Sequence, residues 1–171
     1  PKMLRPIVKH GNVTLHRPTE LVEHLTSDIQ SLIDDMIESM YAAQGIGLAA
    51  PQIGVGLRIF VVDLSGGEQS SEVYVVINPR VIEYDGTQLE EEGCLSLPGF
   101  TATVTRPSRI LVAGLDRQGK ELQIEGGDLL ARALQHEIDH LDGRLFVDRL
   151  KGIKRSVIMR RMDKLKRKGQ W

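Results

Sequence analysis

Between Thr26 and Gln44 the apolar residues Ile29, Leu32, Ile33, Met36, Ile37 and Met40 recur at steps of three and four, with polar residues in the gaps. That spacing puts them on one face and predicts an amphipathic helix, capped by Thr26 or Ser27 and stopped at Gly45. The pattern then changes. "LRIFVVDL", "EVYVVINPRVIEY", "ATVTRPSRILVAGLD" and "KELQIEG" are rich in β-branched residues and bounded by Gly, Pro and Asp, which predicts strands, with "LDRQGKEL" as a hairpin tip. From Asp128 the stretch "LLARALQHEIDHL" returns to strong helix formers and reaches Gly143 without Gly or Pro, predicting a second helix. A third is expected over about 151–167, where Ile153, Val157, Ile158, Met162 and Leu165 can form an apolar stripe. Helix, strands, helix, helix predicts an α+β fold rather than alternating α/β. With no repeat and no linker, residues 1–171 are expected to form a single domain.

Composition narrows the class. A hydrophobic content of 41% beside 26% charged residues suits a globular protein with a real core, and excludes disorder throughout. The longest apolar runs, such as Leu57 to Val62, fall far short of the roughly 20 residues of a membrane helix, so no membrane span is expected. "PKMLRPIVKHGNV" has neither the apolar stretch of a secretory signal nor the pattern of a transit peptide. Cys94 is the one cysteine, which rules out an intrachain disulfide and suits a reducing compartment; a cytoplasmic location is expected. Charge is unevenly spread. Pro1 to Asp148 holds 12 Lys/Arg against 22 Asp/Glu, whereas Arg149 to Trp171 holds 10 against one, that is, −10 against +9. The basic stretch reads first as the solvated face of a docked helix, and second as a surface for RNA, ribosomal RNA included; no DNA partner is expected.

Candidate chemistry concentrates in "LQHEIDHLDG", Leu134 to Gly143. On a helix His136 and His140 are about 40° apart around the axis and about 6 Å along it, so their imidazoles can share one ion. Glu137 can reach a water at such a centre without binding the ion itself, the position of a general base. A third ligand is needed. Gly143 matches the metzincin continuation HExxHxxGxxH, but Phe146 stands where its third histidine would be, and no glutamate follows His140 to serve as in thermolysin. Asp142, Asp148, Asp163 and, upstream, Cys94 remain as candidates. Within "EEEGCLSLPG", Gly93 and a Pro-Gly turn flank Cys94, suiting an exposed strand-to-turn segment more than a core strand. With Cys94 the set would be His₂Cys, tetrahedral with one open position and therefore catalytic. In "GIGLAAPQ", Gly45 to Gln52, the glycines either cap the first helix or bring backbone close to a ligand, with the Gln52 amide aimed at the reacting centre.

These three stretches, in this order, resemble the signatures GxGLAAxQ, EGCLS and HExDH of the peptide deformylases, and the similarity runs from about Leu4 to about Leu165. The resemblance implies antiparallel β-sheets packed around a central HExxH helix, with an N-terminal amphipathic helix and a C-terminal helix. It implies one divalent metal ion per chain on Cys94, His136 and His140: Fe²⁺ in the cell, often replaced by Zn²⁺, Ni²⁺ or Co²⁺. It further implies hydrolysis of the N-formyl group from the formylmethionine of a nascent peptide, with Glu137 as the base and Gln52 and the Leu95 N–H steadying the oxyanion. Ile46, Leu129 and Ala133 would line the methionine pocket, and Gly45 to Gly47 with Leu97 to Gly99 would pair with the peptide backbone. Some relatives carry an arginine shortly after EGCLS where this chain reads "GFTAT", so no side-chain salt bridge to downstream substrate residues is expected. Two rivals share parts of the pattern. A zinc endopeptidase lacks its third ligand here, and a structural metal domain with a nucleic-acid-binding tail leaves Glu137 and Gln52 without work.

Overall fold

A computed structural model describes residues 3–69 and 72–171. The first helix, α1 (Ser27–Ala42), begins where Thr26 Oγ1 accepts the Ile29 N–H at 3.3 Å. It stops short of Gly45: Ala43 caps it, and Gln44 takes the left-handed turn with φ +59°. Among the described residues seven strands follow: β1 (Gly47–Ala49), β2 (Ile59–Val62), β3 (Tyr74–Asp85), β4 (Gln88–Gly93), β5 (Thr101–Arg106), β6 (Arg109–Leu115) and β7 (Glu121–Gly127). Five form an antiparallel sheet in the order β1-β2-β3-β6-β7, and β4 and β5 form a separate ribbon. The helix α2 (Asp128–Leu141) carries the HExxH stretch, and α3 (Gly152–Arg167) comes last.

The sheet is covered on both faces, which explains why β2 is buried along its whole length. Ile59 and Val61 pack with Leu32, Ile33, Met36 and Met40 of α1. Phe60 and Val62, one step along and so on the opposite face, pack with Ala131, Leu134, Ile138 and Leu141 of α2. Pro107 and Ser108 divide "ATVTRPSRILVAGLD" into two strands that belong to different sheets, because proline cannot donate to a central ladder. The hairpin tip forms as expected, with Asp116 Oδ1 accepting from the N–H groups of Gln118 and Lys120, both at 2.9 Å.

Gly143 proves to be a helix stop. It takes φ +78°, and the Arg144 N–H returns to Asp139 O at 2.9 Å. A Cβ there would lie 2.8 Å from the Arg17 carbonyl carbon, so only glycine lets the incoming N-terminal segment cross the end of α2. The apolar stripe of α3 is narrower than its sequence predicts. Ile158 and Met162 are buried and Leu165 partly so, but Ile153 is 81% exposed and Val157 is also exposed. Only the later turns of α3 rest on the body, against Leu97, Phe100, Phe146 and Val147.

Candidate metal centre and cleft

Three ligand atoms converge although their residues come from two distant stretches. Cys94 Sγ lies 3.3 Å from His140 Nε2, which lies 3.2 Å from His136 Nε2, and all three ligand atoms fall within 4.8 Å of one another. α2 supplies both histidines at helical spacing. Cys94 follows the last residue of β4, in a tight turn closed by Leu97 N–H to Cys94 O at 3.0 Å. Two donors point at the sulfur, the Ser96 N–H at 3.4 Å and Gln52 Nε2 at 3.6 Å. Asp142, Asp148 and Asp163 take no part. Asp142 pairs with Arg58 at 2.8 Å, Asp148 accepts the Leu145 N–H at 2.9 Å, and Asp163 is exposed on α3.

A buried chain of charges stands behind His136, and sequence reasoning missed it. Glu92 Oε1 takes His136 Nδ1 at 2.5 Å. The same carboxylate receives Arg106 through two bonds, 2.6 and 2.8 Å, and Arg132 through one of 2.6 Å. Arg106 continues to Asp139 at 2.9 Å, and Asp139 is held in turn by Arg149 at 2.6 and 2.8 Å. Glu92, Arg106, Arg132 and Asp139 are all buried. Burial would raise the Glu92 carboxyl, but the bonds from His136 and Arg106 hold it well below the usual range. The carboxylate keeps a proton on Nδ1, so it is the His136 Nε2 side that faces Cys94 and His140 and would meet an ion there.

The donor set fits a divalent cation. Burial, and then the charge of His136, press His140 well below the ordinary imidazole value, favouring the neutral form a ligand needs. His136 moves the other way: burial opposes its charge, but Cys94, Glu137 and Glu92 outweigh burial and raise it well above 6.5. The centre thus favours one positive charge among these groups, which a bound cation supplies in place of the proton.

Glu137 sits beside this centre, buried, with Oε1 lacking a hydrogen-bond partner. Burial pushes its carboxyl up to about 7, against the opposing charge of His136. Its other oxygen lies against Gly47, where any Cβ would collide with the carboxylate. Gln52 is oriented at both ends: Oε1 accepts the Ala49 N–H at 3.0 Å and Nε2 donates to Ser96 Oγ at 3.1 Å.

A cavity of about 640 Å³ opens onto these groups. Every residue expected around the substrate lines it: Gly45, Ile46, Gly47, Leu95, Leu97, Gly99, Leu129 and Ala133, together with Gln52, Cys94, His136 and Glu137. Phe100, Thr101 and Arg132 line it as well and were not foreseen. β1, which continues from Gly45 and Ile46, is the edge strand of its sheet.

Residues 4–156 match the polypeptide deformylase family. The chain belongs to the peptide deformylase family. A peptide deformylase of Acidobacterium capsulatum is 48% identical over 169 residues, 99% of each chain. The crystal structure of a Legionella pneumophila peptide deformylase superposes with a TM-score of 0.90 at 45% identity, covering 96% of both chains. A plant peptide deformylase gives 0.91 at 32% identity, over 97% of this chain and 91% of that one. Both agree with the α+β architecture of antiparallel sheets and three helices. Peptide deformylases are metal-dependent hydrolases that remove the N-formyl group from nascent peptides, and this chain is an enzyme of that family. The Cys94, His136 and His140 cluster could hold the deformylase metal. No helix among the described residues is long and apolar enough to cross a membrane.

Proposed function

We propose that Cys94, His136 and His140 hold one divalent ion, Fe²⁺ in the cell, with Zn²⁺, Ni²⁺ or Co²⁺ able to occupy the same ligands. The observation that carries the reading is the convergence of these three ligand atoms beside an otherwise unpaired Glu137 oxygen. When bound, such an ion supplies Lewis-acid activation of water and polarises the formyl carbonyl. Glu137 accepts a proton from the attacking water and passes it to the departing amine, so the C–N bond breaks to give formate and a free amino terminus. The Gln52 amide and the Leu95 N–H steady the oxyanion, and each such donor is worth about 2.7 to 4 kcal/mol. Ile46, Leu129 and Ala133 hold the methionine side chain. The peptide backbone enters as an added strand between Gly45–Gly47 and Leu97–Gly99, where the β1 edge favours it. Closure around the metal admits the formyl carbon and excludes bulkier acyl groups.

Formate release from a formylmethionyl peptide, set beside cleavage of the unformylated peptide, tests this reading. Rapid release with no internal cleavage is expected, and turnover should fall from methionyl to norleucyl, and further to alanyl and aspartyl, formyl peptides. Cleavage of the unformylated chain would support an endopeptidase instead.

We further infer that residues 1–171 act as one catalytic domain in the cytoplasm and that α3 touches ribosomal RNA. The exposed Ile153 and Val157, beside exposed Arg160, Arg161, Lys164 and Arg167, support a docking role for its outer face. Cosedimentation with ribosomes should weaken as salt rises and disappear when residues after Leu150 are removed; indifference to both would refute it.

A further inference from the structure

Residues 157–171 lie outside the 4–156 family match, although full-length relatives cover them, and their end packs against Phe100 in the wall of the cleft. After α3, Gly169 takes φ +68° and the Gln170 N–H returns to Leu165 O at 2.9 Å, turning the chain back onto the body. Trp171 then makes two contacts. Its indole Nε1 donates to His10 O at 2.9 Å, and its ring meets Phe100 with centroids 5.9 Å apart and planes tilted by 60°. The His10 N–H donates in turn to Ser96 O at 2.9 Å. Arg161 adds a third hold, its guanidinium carbon 5.8 Å from the centre of the Phe100 ring. Ser96 and Phe100 bracket the turn that follows Cys94, and that turn presents Leu97, Pro98 and Gly99 to the cleft.

We propose that Trp171, assisted by Arg161, is a positioning residue for substrate: it clamps the 96–100 turn from behind, through His10 and Phe100, and so pre-forms the backbone edge used by the peptide downstream of its methionine. This rests on the reading of the cleft as the formyl-peptide site. A turn already held in place need not be ordered when substrate arrives, so the clamp acts on binding rather than on the bond-breaking step. Its effect must therefore grow with the length of substrate that reaches Leu97–Gly99.

The test compares metal-loaded wild type with Trp171→Ala, using formylmethionyl-Ala-Ser and formylmethionine amide, which has no downstream residues. Losing one aromatic pair and one hydrogen bond should raise KM for the tripeptide roughly three- to tenfold. Its kcat should hold, and both constants for the amide should be unchanged. Trp171→Phe, which keeps a ring against Phe100, should fall between, and the surface variant Arg161→Ala should shift KM in the same direction by less. Equal shifts for both substrates, or none, would overturn the clamp. Trp171 is the only tryptophan in the chain, so its emission gives a readout independent of activity. Because the turn is already held, that emission should keep its position when the product peptide Met-Ala-Ser is titrated in, while calorimetric binding of the same peptide should weaken roughly three- to tenfold in Trp171→Ala; an emission shift on binding, or equal affinity in the variant, would also overturn the clamp. Peptide binding that weakens in Trp171→Ala, in a protein releasing no formate, would uphold the clamp and sink the catalytic reading on which it was framed.

Discussion

Replacing Glu137 by glutamine is expected to lower formate release by about 10² to 10⁴-fold while the protein still binds its metal. The amide has nearly the shape of the carboxylate and fits the same space against Gly47, so folding and the three ligand positions should survive. What disappears is the capacity to accept a proton. The same residue should set the acid side of the pH profile. A base works only when deprotonated, so kcat/KM should rise with pH through the Glu137 pKa. Burial carries that value to about 7. A cation beside the carboxylate favours its charged form and pulls the value down, so the limb should lie at or below neutrality. The residual rate of Glu137→Gln should lack that limb. Full turnover in a metal-loaded Glu137→Gln protein would remove the base assignment.

Glu92→Ala should cost about 3 to 5 kcal/mol of stability, because Arg106 and Arg132 would then face each other in the interior without the carboxylate between them. It should also free the His136 ring, lowering metal affinity by roughly 10- to 100-fold. Urea midpoints and metal titration read the two effects separately. Glu92→Gln, which still accepts hydrogen bonds, should fall between. The linkage has a definite sign. Since the folded-state pKa of Glu92 lies below its ordinary value of 4.5, its stabilisation is complete above that value and is lost as pH falls beneath it. The alanine variant should show less of this acid sensitivity.

α1 was legible in the sequence because its apolar residues repeat with the helical period, and α2 because strong helix formers run to Gly143 without Gly or Pro. β1 was not: it is three residues long and lies in a glycine-bearing stretch that reads as loop. β4 was legible at its end, where "EEEGCLSLPG" reads as an exposed strand running into a turn, but not at its start, because "QLEEEG" has almost nothing apolar to alternate. The candidate ligands could be found since HExxH is a local pattern, and the cysteine stood out as the only one in the sequence. Glu92 and Arg106 could not be found in the same way. Acidic and basic residues default to solvent, and these two are buried only because β4 pairs with β5 and the ribbon lies against α2. One signal was available: an arginine set within the apolar run "LLARAL", at Arg132, asks for a buried carboxylate partner. The α3 stripe failed for a related reason. Periodicity marks a face that can be buried, but the body beneath α3 extends only under its later turns.

If Cys94, His136 and His140 together hold the ion on which deformylation depends, losing one ligand should abolish both binding and turnover. Anaerobic titration of metal-free protein with Fe²⁺, following formate release from a formylmethionyl peptide as the ion is added, tests it most directly. Activity should rise linearly and saturate at one ion per chain in the wild type, and Cys94→Ala should give neither tight binding nor turnover. A Cys94→Ala protein that saturates at one ion with undiminished formate release would contradict the account.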